Sequence, residues 1–167
     1  MVNSAVPRIF VQIAAYRDPE LIPTLKDLFS KAKAPENIKV CIAWQCDEND
    51  TLQEFANDIR VEYIKINYKD SKGACWARNQ IQQRYSGEEY TLQLDSHHRF
   101  IENWDKELIE MYTNLKNRGY NKPLITSYIP SYDPEKDPSA RVQIPWKMNF
   151  DRFIPEGAVF FFTGWNR

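Results

Sequence analysis

Short apolar runs alternate with amphipathic stretches along the chain, and their spacing gives an element order. Ile9 to Ala15 (IFVQIAA), Ile38 to Trp44 (IKVCIAW) and Val61 to Ile66 (VEYIKI) are rich in β-forming residues, which predicts strands. Tyr90 to Asp95 (YTLQLD) predicts a fourth strand that ends on a carboxylate, and Leu124 to Ile129 a fifth. Between the strands lie helical patterns. Asp18 reads as an N-cap and Pro19 as the first helical residue of a segment whose stripe is Leu21, Leu25, Leu28 and Phe29. Thr51 to Phe55 predicts a short helix, Ala74 to Tyr85 a helix behind a Lys69–Gly73 turn, and Trp104 to Asn117 a long amphipathic helix closed near Gly119. Strand and helix alternate throughout, which predicts an α/β sandwich with a mostly parallel sheet. In such sheets the functional residues gather at the C-terminal ends of the strands.

Past Pro130 the pattern changes. Tyr132-Asp133-Pro134 and Lys136-Asp137-Pro138 are rich in turn residues, Trp146 to Phe153 reads as irregular and aromatic, and Ala158 to Phe162 predicts one more strand. An α/β domain that ends so soon after an apolar strand reads as a fragment, or as a domain without its usual second lobe. We expect a single domain over 1–167 whose character changes near residue 130.

Bulk properties narrow the class. The 167 residues suffice for one domain with a hydrophobic core. A formal net charge of -1 gives no electrostatic case for nucleic acid. No apolar segment approaches a membrane span or a signal peptide, so no membrane partner is expected. Cys41, Cys46 and Cys75 form no CxxC pair, which disfavours structural zinc. Cys41 falls mid-strand and reads as a small buried hydrophobe. Free thiols without an export signal point to the cytoplasm.

Four constellations carry candidate chemistry. In Leu94-Asp95-Ser96-His97-His98, a strand delivers a carboxylate to its tip and an imidazole follows two residues later. Positions two apart in extended chain share a side, so Asp95 and His97 can reach one ion while His98 points away. Carboxylate oxygen with imidazole nitrogen suits Mn²⁺ or Mg²⁺, completed by a diphosphate. The same short motif also fits a strand-end turn with surface imidazoles. Gly73 opens a helix whose N-terminus favours an anion, and Arg78 lies one turn in, where it can bind phosphate or base or else sit in a surface ion pair. Ala14, Tyr16 and Arg17 at the first strand's end leave room for a base or ribose, offer a ring for stacking and reach an anion; a tight strand-to-helix turn reads equally well. Asp47, after the second strand, can accept the uracil N3–H or belong to a solvated acidic loop; that loop lacks the glycine an EF-hand requires. Glu88-Glu89 reads as a solvated turn, and Trp104 as a packing residue.

Taken together, the Ile9–Leu21 segment, the Gly73…Ala77-Arg78-Asn79 segment and Leu94–Phe100 resemble the polypeptide hydroxyproline α-N-acetylglucosaminyltransferase family, and more distantly the mucin-type polypeptide GalNAc-transferases. The resemblance covers about the first 130 residues, which would form a donor-binding half of the single 1–167 domain, with 131–167 the start of an acceptor-binding region and the chain either a fragment or an enzyme without the usual acceptor lobe. It implies a GT-A-type, Rossmann-like α/β/α sandwich and a metal-dependent retaining glycosyltransferase. The implied donor is a UDP-sugar, UDP-GlcNAc by analogy, transferred to a hydroxyl on a protein or glycan acceptor. It further implies that Asp95 and His97 hold the metal, that Arg78 contacts the nucleotide, that Ala14, Tyr16 and Arg17 wall it, and that Asp47 and Gly73 complete the donor site. Such enzymes usually supply a later histidine ligand, and none follows His98 here, so the metal would have two protein ligands, with water and phosphate filling the rest; a retaining mechanism of this kind requires no strong enzymic base, and no catalytic base is assigned. Competing readings are a nucleotide-sugar-binding module without transfer, and a sugar-phosphate nucleotidyltransferase, which commonly has a glycine-rich first loop that Tyr16-Arg17-Asp18-Pro19 lacks.

Overall fold

Four of the predicted strands pair into one parallel sheet. They are β1 (Ile9–Tyr16), β2 (Ile38–Cys46), β3 (Val61–Asn67) and β4 (Tyr90–Asp95), in the order β3-β2-β1-β4. The computed structural model describes residues 8–142, 146–153, 155 and 159–165. The chain divides into two compact units, Met1–Glu110 and Met111–Arg167. The first holds the parallel sheet.

Period-two alternation sorts β1 and β2 onto two faces. Ile9, Val11, Ile13 and Ala15 pack with Val40, Ile42 and Trp44 against Leu21, Leu25, Leu28 and Phe29 of α1 (Leu21–Lys31) and Trp104 of α3 (Trp104–Asn117). Phe10, Cys41 and Ala43 face the other way, against Ala77 and Ile81 of α2 (Ala74–Gln82). Burial on both faces explains why these strands read as near-continuous apolar runs. Each fully buried leucine contributes about 2 kcal/mol. Burial pushes the Cys41 thiol up to about 11, so it stays a protonated core group, as its mid-strand position suggests. Trp104 is buried and donates its indole N–H to the Leu28 carbonyl at 2.8 Å. It packs, as expected. Asp105 accepts the backbone N–H groups of Lys33 and Ala34 at 2.7 and 2.9 Å, tying the start of α3 to the end of α1.

Several local expectations need correction. The Leu124–Ile129 stretch is not a fifth strand: only a single-residue bridge forms, at Tyr128. It lies between Pro123 and Pro130, and Leu124 is 87% and Ile129 45% exposed, so no burial stabilises pairing. Trp146–Phe153, expected to be irregular, is strand β5, paired antiparallel with β6 (Val159–Trp165). Trp146, Met148 and Phe150 alternate with Lys147, Asn149 and Asp151, a period-two signal, but the alternation breaks at the register shift between Phe150 and Arg152, and the aromatic content masked it. The predicted strand beginning at Ala158 corresponds to β6, though Ala158 itself lies outside the described residues. Asp18 and Pro19 stand outside α1: the helix begins at Leu21, and the flanking residue, Glu20, makes no side-chain cap.

Glu88 is not solvated. It is 4% exposed and accepts from the backbone N–H and hydroxyl of Ser86 at 2.9 and 2.8 Å, with Lys39 Nζ 3.8 Å away. Burial alone would raise its carboxyl, but those hydrogen bonds and Lys39 hold it below the ordinary value of 4.5. A depressed carboxylate contributes stability that is present above its unfolded pKa and is lost as pH falls through the folded one. Melting temperatures measured between neutral pH and pH 3 should therefore drop below about pH 4.5, more steeply for the wild type than for Glu88→Gln. Identical slopes would refute the assignment.

Candidate functional site

The sheet order places a topological switch beside β1. The chain leaves β1 toward β2 and β3 and returns on the opposite side as β4. A crevice opens beyond the C-terminal ends at such a point, and ligands bind there in open α/β sheets. The register sets what faces it: Ala14 pairs with Asp95 across β1 and β4, and Tyr16 with Gln45 across β1 and β2.

On the β2 side, Arg17 adopts a left-handed φ of 48° and its N–H donates to the Gln45 carbonyl at 2.9 Å. This turns its side chain back over the strand ends. The guanidinium lies 4.3 Å from the centre of the Tyr68 ring and 3.4 Å from Asp47. Tyr16, 53% exposed, meets Tyr68 edge-on at 6.4 Å. Tyr16 and Arg17 thus share one exposed aromatic and charged wall with Asp47, thirty positions away from Arg17. Tyr68 joins them unforeseen, and the buried Gln45 side chain accepts the Ser71 hydroxyl at 2.5 Å. An aromatic residue just past a strand end was the signal available for Tyr68.

On the β4 side, strand parity decides the partners. Tyr90, Leu92 and Leu94 pack toward α1, so Asp95 falls on the opposite face, that of α2. Arg78, one turn into α2, pairs with Asp95 Oδ1 at 2.9 Å. The ion-pair reading of Arg78 therefore holds, and its partner is the candidate metal ligand itself. Asp95 remains 57% exposed and Arg78 30%. Gly73, at the N-terminal end of α2, has φ 92° and ψ 171°, a region that essentially only glycine occupies. A Cβ there would meet no atom within 4 Å, so the requirement is conformational and close approach is not needed to explain it. Gly73→Ala should cost about 1–3 kcal/mol in denaturant unfolding through strain alone, and a neutral result would exclude this backbone geometry.

The loop after Asp95 is held by α1 and the turn before it. Asp18 Oδ2 accepts the Ser96 hydroxyl at 2.6 Å and lies 2.8 Å from His97 Nδ1, while Asp18 Oδ1 accepts the Glu20 N–H at 2.9 Å. Burial would raise the Asp18 carboxyl, but these contacts hold it below the ordinary carboxylate value. Thr24, fully buried, donates to the Ser96 carbonyl at 2.8 Å and accepts the His98 N–H at 3.0 Å. Glu20 pairs with Arg99 at 2.5 Å, Asp27 accepts the Phe100 N–H at 2.6 Å, and Lys31 reaches the Phe100 carbonyl at 2.9 Å. Positions 20, 24, 27 and 31 form one polar face at helical spacing. Sequence reading found the apolar stripe of α1 and missed this second one.

His97 is 59% exposed. His98 is more buried, and burial lowers its pKa, favouring the neutral ring. It does not point simply away: the two imidazoles lie 6.2 Å apart and 25° from parallel. Strand geometry stops at Asp95, so alternation no longer sets direction beyond it. The donor types suit a divalent cation. His97 Nδ1 is engaged by Asp18, as outer-shell carboxylates engage metal-binding histidines, leaving Nε2 for a ligand, and Asp95 keeps an oxygen beyond its contact with Arg78. Among the described residues, no group of three or more His, Cys, Asp or Glu side chains comes together for a metal.

Comparison with known proteins adds a family. The family model described as Glycosyltransferase (GlcNAc) matches residues 8–56 and 48–165. Among solved structures, S. aureus TarS 1-349 is similar in fold, with TM-score 0.52 and 17% identity over 72% of this chain and 39% of that one. The same protein in complex with UDP-GlcNAc gives TM-score 0.52 and 17% identity over 72% and 37%. The chain thus spans about two fifths of the length of these structures. No curated protein matches it. The likeness agrees with the expected GT-A-type α/β fold.

Proposed function

The chain belongs to the Glycosyltransferase (GlcNAc) family, and from that premise we propose that it binds a UDP-sugar, UDP-GlcNAc by preference, and transfers the sugar with retention to a hydroxyl of a protein or glycan. The observation that carries this reading is the convergence of Arg17, Asp47, Arg78, Asp95 and His97 beyond the strand ends at the switch point. The TarS complex with UDP-GlcNAc supports the donor class. The hydroxyproline-modifying branch is the finer assignment that the sequence resemblance supports. The acceptor region would begin near residue 131, and three free thiols favour the cytoplasm. No described helix is long and apolar enough to cross a membrane.

In this reading Tyr16, Tyr68 and the small Ala14 wall the uridine, Asp47 accepts from the base, and Arg17 offers a cation at the rim. The open N-terminus of α2 behind Gly73 and the Arg78 guanidinium face the diphosphate. Asp95 and His97 would hold Mn²⁺ or Mg²⁺, which supplies charge neutralisation for a departing diphosphate. Arg78, drawn off Asp95 toward phosphate, would leave both carboxylate oxygens to the cation. UDP-GlcNAc turnover assayed with and without Mn²⁺ tests the reading; a protein that neither binds UDP nor turns over the donor refutes it.

A second reading, binding without transfer, draws on the two-ligand donor set. Calorimetry that detects UDP binding while no sugar is hydrolysed or transferred to any hydroxylated acceptor would favour it.

A further inference from the structure

His97 Nδ1 and Asp18 Oδ2 are 2.8 Å apart although the residues are separated by 79 positions in sequence. An ionised carboxylate has acceptors only, so the shared proton belongs to the imidazole at Nδ1. A neutral ring protonated there carries its lone pair on Nε2, the opposite corner. Asp18 is itself immobilised: the Ser96 hydroxyl shares Oδ2 at 2.6 Å, and the Glu20 N–H fixes Oδ1 at 2.9 Å. Its side chain is 17% exposed against 59% for His97, so a sheltered carboxylate holds a ring that keeps much of its surface open. The left-handed turn at Arg17 brings Asp18 into place. The Glu20 contact is a local turn bond, but capping does not explain the Ser96 and His97 contacts, which span 78 and 79 positions.

We propose that Asp18 is a positioning residue that fixes His97 in its Nδ1–H tautomer and aims Nε2 at the divalent cation, a role that rests on the donor-site reading above. Asp18→Asn tests it. The Glu20 N–H can only donate, so asparagine keeps its carbonyl oxygen there and sets its N–H groups in the place of Oδ2, where the Ser96 hydroxyl can accept and His97 must accept at Nδ1 and carry its proton on Nε2. Nitrogen-15 NMR of the histidines reads the tautomer directly, and calorimetry with Mn²⁺ and UDP reads affinity. The wild type should show His97 protonated at Nδ1. The variant should show the Nε2–H form and bind Mn²⁺ about 10–100-fold more weakly, the usual effect of losing such a partner. An Nε2–H tautomer in the wild type overturns the proposal without any variant. A variant that binds Mn²⁺ as the wild type does overturns it while leaving the donor site standing. A wild type that binds no Mn²⁺ with UDP overturns the metal reading and this role together.

Discussion

Asp95→Ala should reduce Mn²⁺-dependent UDP-GlcNAc binding and turnover by about 100-fold or more, with little change in folding stability. The functional loss follows from removing one of the two proposed protein ligands of a cation whose charge neutralisation is worth several kcal/mol at the diphosphate. The small stability effect follows from exposure: Asp95 is 57% accessible at the tip of β4, and its ion pair with Arg78 is partly solvated, so it adds little to the fold. Arg78 is not left stranded, since its guanidinium can turn to a phosphate or to water. Parallel measurement of activity and of urea unfolding separates the two. Full metal-dependent activity in Asp95→Ala would remove the donor-site assignment. A large loss of stability would show instead that the Arg78–Asp95 pair holds the strand end.

Thr24→Val should have the opposite profile, affecting fold and site together. Valine matches threonine in shape but lacks the hydroxyl that donates to the Ser96 carbonyl and accepts the His98 N–H. Thr24 is fully buried, so both backbone groups lose a partner that water does not readily replace. Two such groups predict a loss of about 2–3 kcal/mol. The same contacts hold the loop carrying Ser96, His97 and His98, so donor and Mn²⁺ affinity should also fall, by about tenfold or more if the ligands shift on the ångström scale. Thr24→Ser, which keeps the hydroxyl, should retain most of both properties. A midpoint in urea equal to the wild type for Thr24→Val would mean the hydroxyl is not the tie between α1 and this loop.

Apolar periodicity made much of the framework legible. Ile9–Ala15 and Ile38–Trp44 are buried on both faces, so their sequences carry a strong signal that needs no knowledge of neighbours. Leu21, Leu25, Leu28 and Phe29 marked the inner face of α1 for the same reason. Leu124–Ile129 misled because a short apolar run between prolines looks like a strand whether or not anything buries it. Trp146–Phe153 was missed because its apolar–polar alternation runs only from Trp146 to Asp151 before the register shift breaks it, and cross-strand pairing is a long-range property.

At the site, residue types and strand-end positions were legible, but partners were not. Asp95 and His97 were recognisable two apart at a strand tip. Strand parity then placed Asp95 opposite Arg78, and the polar face of α1 decided how the following loop is held. Asp18 looked like a helix cap because local sequence offers a carboxylate before Pro19 no other partner; the return of β4 beside β1 supplied Ser96 and His97. The sequence by itself thus determined the sheet strands, the helix faces and the chemical types at the strand ends, because hydrophobic burial is written in local periodicity. The tertiary structure alone decided which carboxylate meets which cation or imidazole, because hydrogen bonds and ion pairs act over about 3 Å and only the folded chain brings residues 79 positions apart within that reach.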